Sequence, residues 1–154
     1  MRFHNITYPD VNNGEGCRVT LWVAGCTHHC KGCHNPQTWS FKSGREFTED
    51  IKNKLYNVLR LPYIKGITFS GGDPLDSFED VFELIKDIKN SINDKDIWLF
   101  SGYTLEDIQN SEKKIILEYI DVLVDGEFKE DLKDLSLKFR GSSNQRILYK
   151  DIDF

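Results

Sequence analysis

Cys26, Cys30 and Cys33 fall within eight residues, in the run AGCTHHCKGCHNPQTW, at the spacing C-x3-C-x2-C. No fourth cysteine follows; the remaining one, Cys17, precedes the run and opens an apolar stretch. Thiols packed this closely, in a chain whose N-terminus reads as lacking an export signal, point to a metal rather than to disulfides. Two metal chemistries compete. A cubane iron–sulfur cluster wrapped by one loop is held at three corners, and its fourth iron stays open to a substrate or cosubstrate. A zinc ion completed by His28, His29 or His34 is instead a closed structural site. Cys17 as a fourth ligand would close the open iron, so it reads as a small buried thiol.

A second constellation lies forty residues on. Ser70, Gly71, Gly72 and Asp73 form a glycine turn followed by Pro74. Such a turn lets backbone carbonyls approach a ligand closely and accept from an ammonium group. The same residues also make a good tight turn closing a strand, and that reading stays open. Ser101, Gly102 and Tyr103, and then Asp125 and Gly126, are further candidates for a ligand pocket; each is equally a plain strand end. Trp39 and Trp98 read as core aromatics, with Trp39 also placed to cover the cysteine loop.

The elements that carry these residues alternate in type. Residues 17–25 (CRVTLWVAG) read as a buried strand ending at the cysteine loop. Thr48 can cap a helix with Ile51, Leu55, Val58 and Leu59 on one face. Residues 66–72 form a short strand, and Ser77 can cap the next helix, with Phe78, Val81, Phe82, Ile85, Ile88 and Ile92 on one side. Residues 97–103 are a third strand. A helical stretch from Thr104 to about Ile120 carries a break near Asn110–Ser111. Residues 121–126 and 146–150 are the last strands, joined by a polar loop with one helical turn. Strands alternating with helices imply an α/β fold with a mostly parallel sheet, in one domain over residues 1–154. The chain is too short for a complete eight-fold barrel, so the sheet is open or an incomplete barrel, with the site at the strand C-terminal ends.

Composition narrows the partners. The net charge is −5, and the basic residues are scattered rather than blocked, which argues against nucleic acid. No apolar run approaches a membrane span, so no membrane partner is expected. The expected compartment is a reducing cytoplasm.

The cysteine motif after a first strand and a glycine-glycine-acid motif after a second together resemble the radical S-adenosylmethionine (SAM) superfamily. The runs NGEGCRVTLWVAGCTHHCKGCHNPQTW, SGGDPL, DIWLFSGYTLEDI, DVLVDGEF and DLKDLSLKFRGSSNQR span nearly the whole chain. Together they resemble the activating proteins of anaerobic (class III) ribonucleotide reductases. The resemblance implies an incomplete (β/α) barrel of the radical SAM type, with a [4Fe-4S] cluster on Cys26, Cys30 and Cys33. It implies SAM chelated to the open iron and contacted by Gly32, Cys33, His34, Ser70, Gly71, Gly72 and Asp73. Two positions depart from the superfamily pattern. Asp73 stands where Glu is usual, and Gly32 where an aromatic residue often packs on adenine, which makes His34 a candidate for that packing. The implied activity is reductive cleavage of SAM to methionine and a 5′-deoxyadenosyl radical, which takes hydrogen from a glycine of the reductase large subunit. The implied electron donor is reduced flavodoxin or ferredoxin. An activase of another glycyl-radical enzyme, such as pyruvate formate-lyase, is the rival within the superfamily, and a non-catalytic zinc module the rival outside it. The run Arg140–Arg146 (RGSSNQR) recurs in the family, which implies a role at the site or partner surface; by composition it is a polar loop.

Overall fold

The computed structural model describes residues 1–154. Ten regular elements follow in the order β1 (Arg2–Asp10), β2 (Arg18–Val23), β3 (Arg45–Glu46), α1 (Glu49–Leu59), β4 (Gly66–Gly71), α2 (Phe78–Ser91), β5 (Asp96–Phe100), α3 (Leu105–Gln109), β6 (Val122–Asp125) and β7 (Arg146–Tyr149). Short 3-10 segments join them at Pro36–Thr38, Pro74–Ser77, Glu112–Glu118 and Glu130–Leu132.

The strands make one seven-stranded sheet in the order β3-β1-β2-β4-β5-β6-β7. Its centre, β2-β4-β5-β6, is parallel; β1, β3 and β7 join antiparallel at the two sides. The sheet stays open, with β3 and β7 as its edges. The parallel centre matches the sequence expectation. β1 and β3 do not follow from it, because β1 alternates few buried with many half-exposed residues and carries little periodic signal.

The pleat divides the centre into two faces. Val19, Leu21 and Val23 of β2, Ile67 and Phe69 of β4, and Ile97 and Leu99 of β5 pack against Leu55 and Leu59 of α1 and Val81, Ile85 and Ile88 of α2. Each fully buried Leu, Ile or Phe of this kind contributes roughly 1.5–3 kcal/mol relative to exposure. The opposite face carries Trp98, Val122 and Val124, covered by Phe100, Phe139, Ile147 and Tyr149.

Near the N-terminal ends of the parallel strands this second face is polar and held by one arginine. Arg18 is fully buried. Its guanidinium donates to Thr68 Oγ1 (2.8 Å), the Ile67 carbonyl (2.9 Å) and the Glu15 carbonyl (3.0 Å), and faces the Asp96 carboxylate at 2.6 Å.

Helix boundaries have local causes. Thr48 Oγ1 accepts from the Ile51 N–H at the start of α1. Thr104 opens α3 with a reciprocal capping box to Asp107. The break expected near Asn110–Ser111 separates α3 from the 3-10 segment Glu112–Glu118. Ser77 precedes α2 but makes no capping bond. The chain enters α2 from the 3-10 turn Pro74–Ser77, and the cap of that turn is Asp73, whose side chain accepts from the Leu75 N–H. No helix is long and apolar enough to cross a membrane.

Candidate iron–sulfur site

Parallel pairing puts the C-terminal ends of β2, β4, β5 and β6 along one edge, where ligands of open α/β sheets bind. The cysteine loop leaves β2 there, the Gly71–Asp73 turn leaves β4, Ser101–Tyr103 leave β5, and Gly126–Phe128 leave β6.

The Gly71–Gly72 turn is laid directly on the end of β2. Gly72 N–H donates to the Val23 carbonyl (2.9 Å) and Asp73 N–H to the Gly25 carbonyl (2.8 Å). Gly71 has φ +111, and a Cβ there would lie 2.4 Å from Val23 O. A Cβ on Gly72 would lie 2.3 Å from Gly25 O. Only glycine permits that approach. Ser70 sits just before the turn, half-buried, opposite Trp22 in the sheet register.

Asp73 is 1% exposed and turned inward. Its carboxylate accepts from Leu75 N–H (3.0 Å), Ser101 Oγ (3.0 Å), Gly102 N–H (2.9 Å) and His28 Nε2 (2.6 Å). The side chain therefore welds the ends of β4 and β5 to the cysteine loop, and what the turn offers a ligand is backbone. Asp73 is fully engaged in this internal network.

His28, between the first two cysteines, also reaches the end of β6, with Nδ1 3.0 Å from Glu127 Oε1. The hydrogen bond to Asp73 pushes the imidazole up to about 9 against the effect of burial, and Glu127 adds to the rise. Both ring nitrogens then carry protons at neutral pH and both donate. His28 is spent on two carboxylates and is not free to ligate a metal. Asp76 ties down the same loop, accepting from Thr27 N–H (2.8 Å), Thr27 Oγ1 (3.0 Å) and Tyr103 OH (2.6 Å). A cavity of about 490 Å³ opens beside His28, Gly102, Tyr103 and Glu127.

The three cysteines of the loop are free thiols, partly buried. The Cys33 sulfur accepts a hydrogen bond from Asn35 N–H (3.3 Å). Burial first, with Asp73 and Asp76 nearby, pushes the Cys26 thiol up to about 11, and the backbone of residues 28 and 29 opposes the rise. Burial, then Glu127 and Cys33, raises Cys30 as well. A cluster would have to displace these protons, and the Asn35 N–H would then stabilise the Cys33 thiolate.

This donor set fits a cubane better than zinc. A tetrahedral zinc with 2.3 Å bonds draws its sulfurs to about 3.8 Å from one another. The one trio of potential ligand atoms within 4.8 Å of one another is His28, Asp73 and Asp76, so at least one pair of the thiols stands farther apart than that. A cubane, whose corners are separate irons, spreads its thiolates. The other histidines are placed elsewhere: His29 stacks on Trp39 (4.5 Å, 14° between planes), and His34 packs against Phe128 (5.1 Å). Trp39 is half-buried and belongs to neither core cluster, so it is not the core aromatic first expected; it lies on the loop through His29, and its carbonyl accepts from Cys26 N–H (3.1 Å). Gly32 has φ +75 and lies against the Glu130 side chain. Cys17 sits at the other end of β2, about 20 Å of strand away from the loop, and is packed against the core but only half-buried rather than the buried thiol expected.

Asp125 does not face this pocket. Its buried carboxylate accepts from Leu105 N–H (2.7 Å) and from Arg146 Nε (3.1 Å), so it acts as a strand-end anchor. Glu127 and Phe128 were not singled out by sequence reasoning. Their link to residues 28, 30 and 34 spans about a hundred positions and leaves no local signal.

Comparison with known proteins agrees with this picture. Residues 12–148 match the family described as a 4Fe-4S single cluster domain. A protein of Vibrio cholerae is 44% identical over 151 residues, covering 96% of this chain and 97% of its own. One of Escherichia coli K12 is 43% identical over 151 residues, with the same coverages. One of Enterobacteria phage T4 is 42% identical over 149 residues, covering 96% of this chain and 93% of its own. All three are named anaerobic ribonucleoside-triphosphate reductase-activating proteins. With the cysteine loop, the glycine turn and this near-complete overlap, the chain belongs to the family of anaerobic ribonucleoside-triphosphate reductase-activating proteins, which here carries a 4Fe-4S single cluster domain.

Proposed function

We propose that the chain is a radical SAM activase of an anaerobic ribonucleoside-triphosphate reductase, working as a single domain over residues 1–154 in a reducing cytoplasm. Its open sheet is read as an incomplete (β/α) barrel of the radical SAM type, and the missing side leaves room for a loop of the partner. With a [4Fe-4S] cluster on Cys26, Cys30 and Cys33 and SAM on the open iron, one electron from reduced flavodoxin or ferredoxin cleaves SAM to methionine and a 5′-deoxyadenosyl radical, which takes hydrogen from a glycine of the reductase large subunit.

This chain's residues do the rest. The cysteine loop, pinned by His28 and Asp76, presents three thiolates and no fourth. The carbonyls of Ser70, Gly71 and Gly72 are offered to the SAM ammonium, while Asp73 keeps the turn in place from behind. Gly32, Cys33 and His34 are assigned to SAM contact, with Phe128 packed against His34. Trp39 stacks on His29 at one side of the loop, and Glu127 and Phe128 meet His28 and His34 at the other.

The observation that carries this reading is one edge holding three free thiols on a single loop, directly beside a glycine turn laid on the end of β2. The test is activation. The reconstituted protein, SAM and a reductant are incubated without oxygen with the reductase large subunit, and electron paramagnetic resonance reads the partner. A glycyl-radical doublet is expected with the reductase and not with pyruvate formate-lyase. A doublet with the lyase alone would assign another activase, and zinc without sulfide in the purified protein would remove the chemistry altogether.

A further inference from the structure

Hydrogen-bonding capacity is left unspent around the cysteine loop. Four buried side-chain atoms have no hydrogen-bond partner in the protein: Trp39 Nε1, Asp96 Oδ1, Arg140 Nε and Asn144 Oδ1. The Asp96 oxygen stands 2.6 Å from the Arg18 guanidinium and is satisfied as an ion pair. The other three belong to residues that flank the loop. Trp39 stacks on His29 and takes the Cys26 N–H on its carbonyl. Asn144 Nδ2 donates to the carbonyl of Glu127 (2.8 Å), whose side chain meets His28 (3.0 Å). Arg140 precedes Gly141, where a Cβ would come 3.7 Å from His34 Nε2. A buried donor or acceptor without a partner is costly and rare in a native protein. Three of them beside one loop point to a ligand.

The rest of the 140–145 turn is already spent. Gln145 Nε2 donates to the Gly126 carbonyl (3.0 Å), and Gln145 Oε1 accepts from the N–H groups of Gly141 (2.8 Å) and Ser142 (3.1 Å). Ser142 Oγ accepts from Lys129 N–H (3.1 Å), and Arg140 Nη1 donates to the Gln145 carbonyl (2.7 Å). These bonds hold Arg140 and Asn144 in one fixed turn at the end of β6. Their two orphan atoms ask for opposite things. Arg140 Nε–H needs an acceptor, and Asn144 Oδ1 needs a donor. The sulfides and thiolates of a cluster carry no hydrogen, so a cluster alone cannot serve Asn144. The ligand must bring donors as well as lone pairs. SAM brings both: its ammonium, ribose hydroxyls and adenine amine donate, and its carboxylate and ring nitrogens accept. The Trp39 indole needs only an acceptor, which cluster or SAM supplies equally, so it does not discriminate.

We propose that Arg140 and Asn144 are SAM-binding residues: the Arg140 Nε–H is given to an acceptor of the bound molecule, and Asn144 Oδ1 takes a hydroxyl or amine hydrogen from it. The inference rests on the reading that SAM occupies this edge of the sheet.

The test is equilibrium binding of SAM to the anaerobically reconstituted protein without a reductant, so that no SAM is cleaved, beside iron and sulfide analysis of every variant. Arg140→Gln puts an amide nitrogen where Nε stood and drops the charge. Arg140→Lys keeps the charge and puts a methylene there. Both lose the fork that bonds Gln145, so their difference reads the Nε–H. Arg140→Lys is expected to raise the Kd roughly tenfold, the scale of one hydrogen bond to a polar ligand, while Arg140→Gln stays within about threefold of native. Asn144→Ala is expected to raise the Kd about threefold to tenfold. Ser142→Ala loosens the same turn through the Lys129 bond and removes neither orphan atom, so it is expected to bind SAM as the native protein does. Native affinity in Arg140→Lys or Asn144→Ala overturns the proposal. So does an Arg140→Gln protein as weak as the Lys variant, or a Ser142→Ala protein as weak as Asn144→Ala. Loss of iron and sulfide from the Arg140 and Asn144 variants would assign the pair to structure and overturn it too. A native protein that holds its cluster and binds no SAM would instead overturn the underlying reading of the site, so the two failures are distinct.

Discussion

Asp73→Asn is the sharpest single test of how the site is built. The carboxylate is 1% exposed and meets donors only: Leu75 N–H and Ser101 Oγ on one oxygen, Gly102 N–H and His28 Nε2 on the other. An amide replaces one of those oxygens with an NH2 group, whichever way it is turned. At least one buried donor is then left facing another donor. Losing a charge-assisted hydrogen bond and stranding its partner together cost about 3 kcal/mol. For a chain of this size that lowers the midpoint of thermal unfolding by roughly 6–12 °C. The assay is thermal and urea unfolding of the reduced, metal-free protein followed by circular dichroism. Ser101→Ala, which removes one donor and leaves the carboxylate otherwise satisfied, is expected to cost only about 1 kcal/mol. Asp73→Glu is expected to destabilise as well, by roughly 1–3 kcal/mol, because an extra methylene must be fitted into a site that is 1% exposed. A loss below about 1 kcal/mol for Asp73→Asn would refute the network and leave the turn held by its backbone bonds to Val23 and Gly25.

Three further outcomes are expected. Arg18→Ala removes the fully buried guanidinium that joins Thr68, Ile67 and Asp96; it should cost about 3 kcal/mol in urea unfolding while iron content at the distant loop stays native. Asp10→Asn should flatten the acid limb of stability against pH. Burial alone would raise this carboxyl, but hydrogen bonds from Asn13, Asn12 N–H, Thr20 and Thr7 outweigh it and hold it below its ordinary value. A depressed carboxyl contributes stability above its unfolded value and loses it as pH falls through the folded one, so wild type and variant should converge in acid and differ at neutral pH. Finally, Cys30→Ala should abolish cluster-dependent SAM cleavage, whereas Cys17→Ala, at the other end of β2, should leave iron content and cleavage nearly unchanged; full cleavage by the Cys30 variant would contradict the ligand set.

The central fold was legible because its causes are local. Apolar runs of β-branched residues marked the parallel strands, Thr48 and Thr104 marked two helix starts, and Asn110–Ser111 marked a break. β1 and β3 were not legible, since a half-exposed antiparallel strand gains its identity only from the strand it pairs with. The cysteine loop and glycine turn stood out through spacing alone. What joins them did not: His28, Asp73 and Glu127 lie 45 and 99 positions apart in sequence and meet only after the sheet has formed. Residues 140–146 looked like a solvated loop for a related reason. Their polar groups bond backbone at 126–129, and composition cannot tell a group that faces water from one that faces a carbonyl.

The most direct measurement is reduction of the anaerobically reconstituted protein with and without SAM, reading the cluster's paramagnetic spectrum and 5′-deoxyadenosine together. A [4Fe-4S] signal that changes shape when SAM is added, with 5′-deoxyadenosine formed, is the expected result. A cluster indifferent to SAM, or a metal centre lacking sulfide, would contradict an open iron held by Cys26, Cys30 and Cys33.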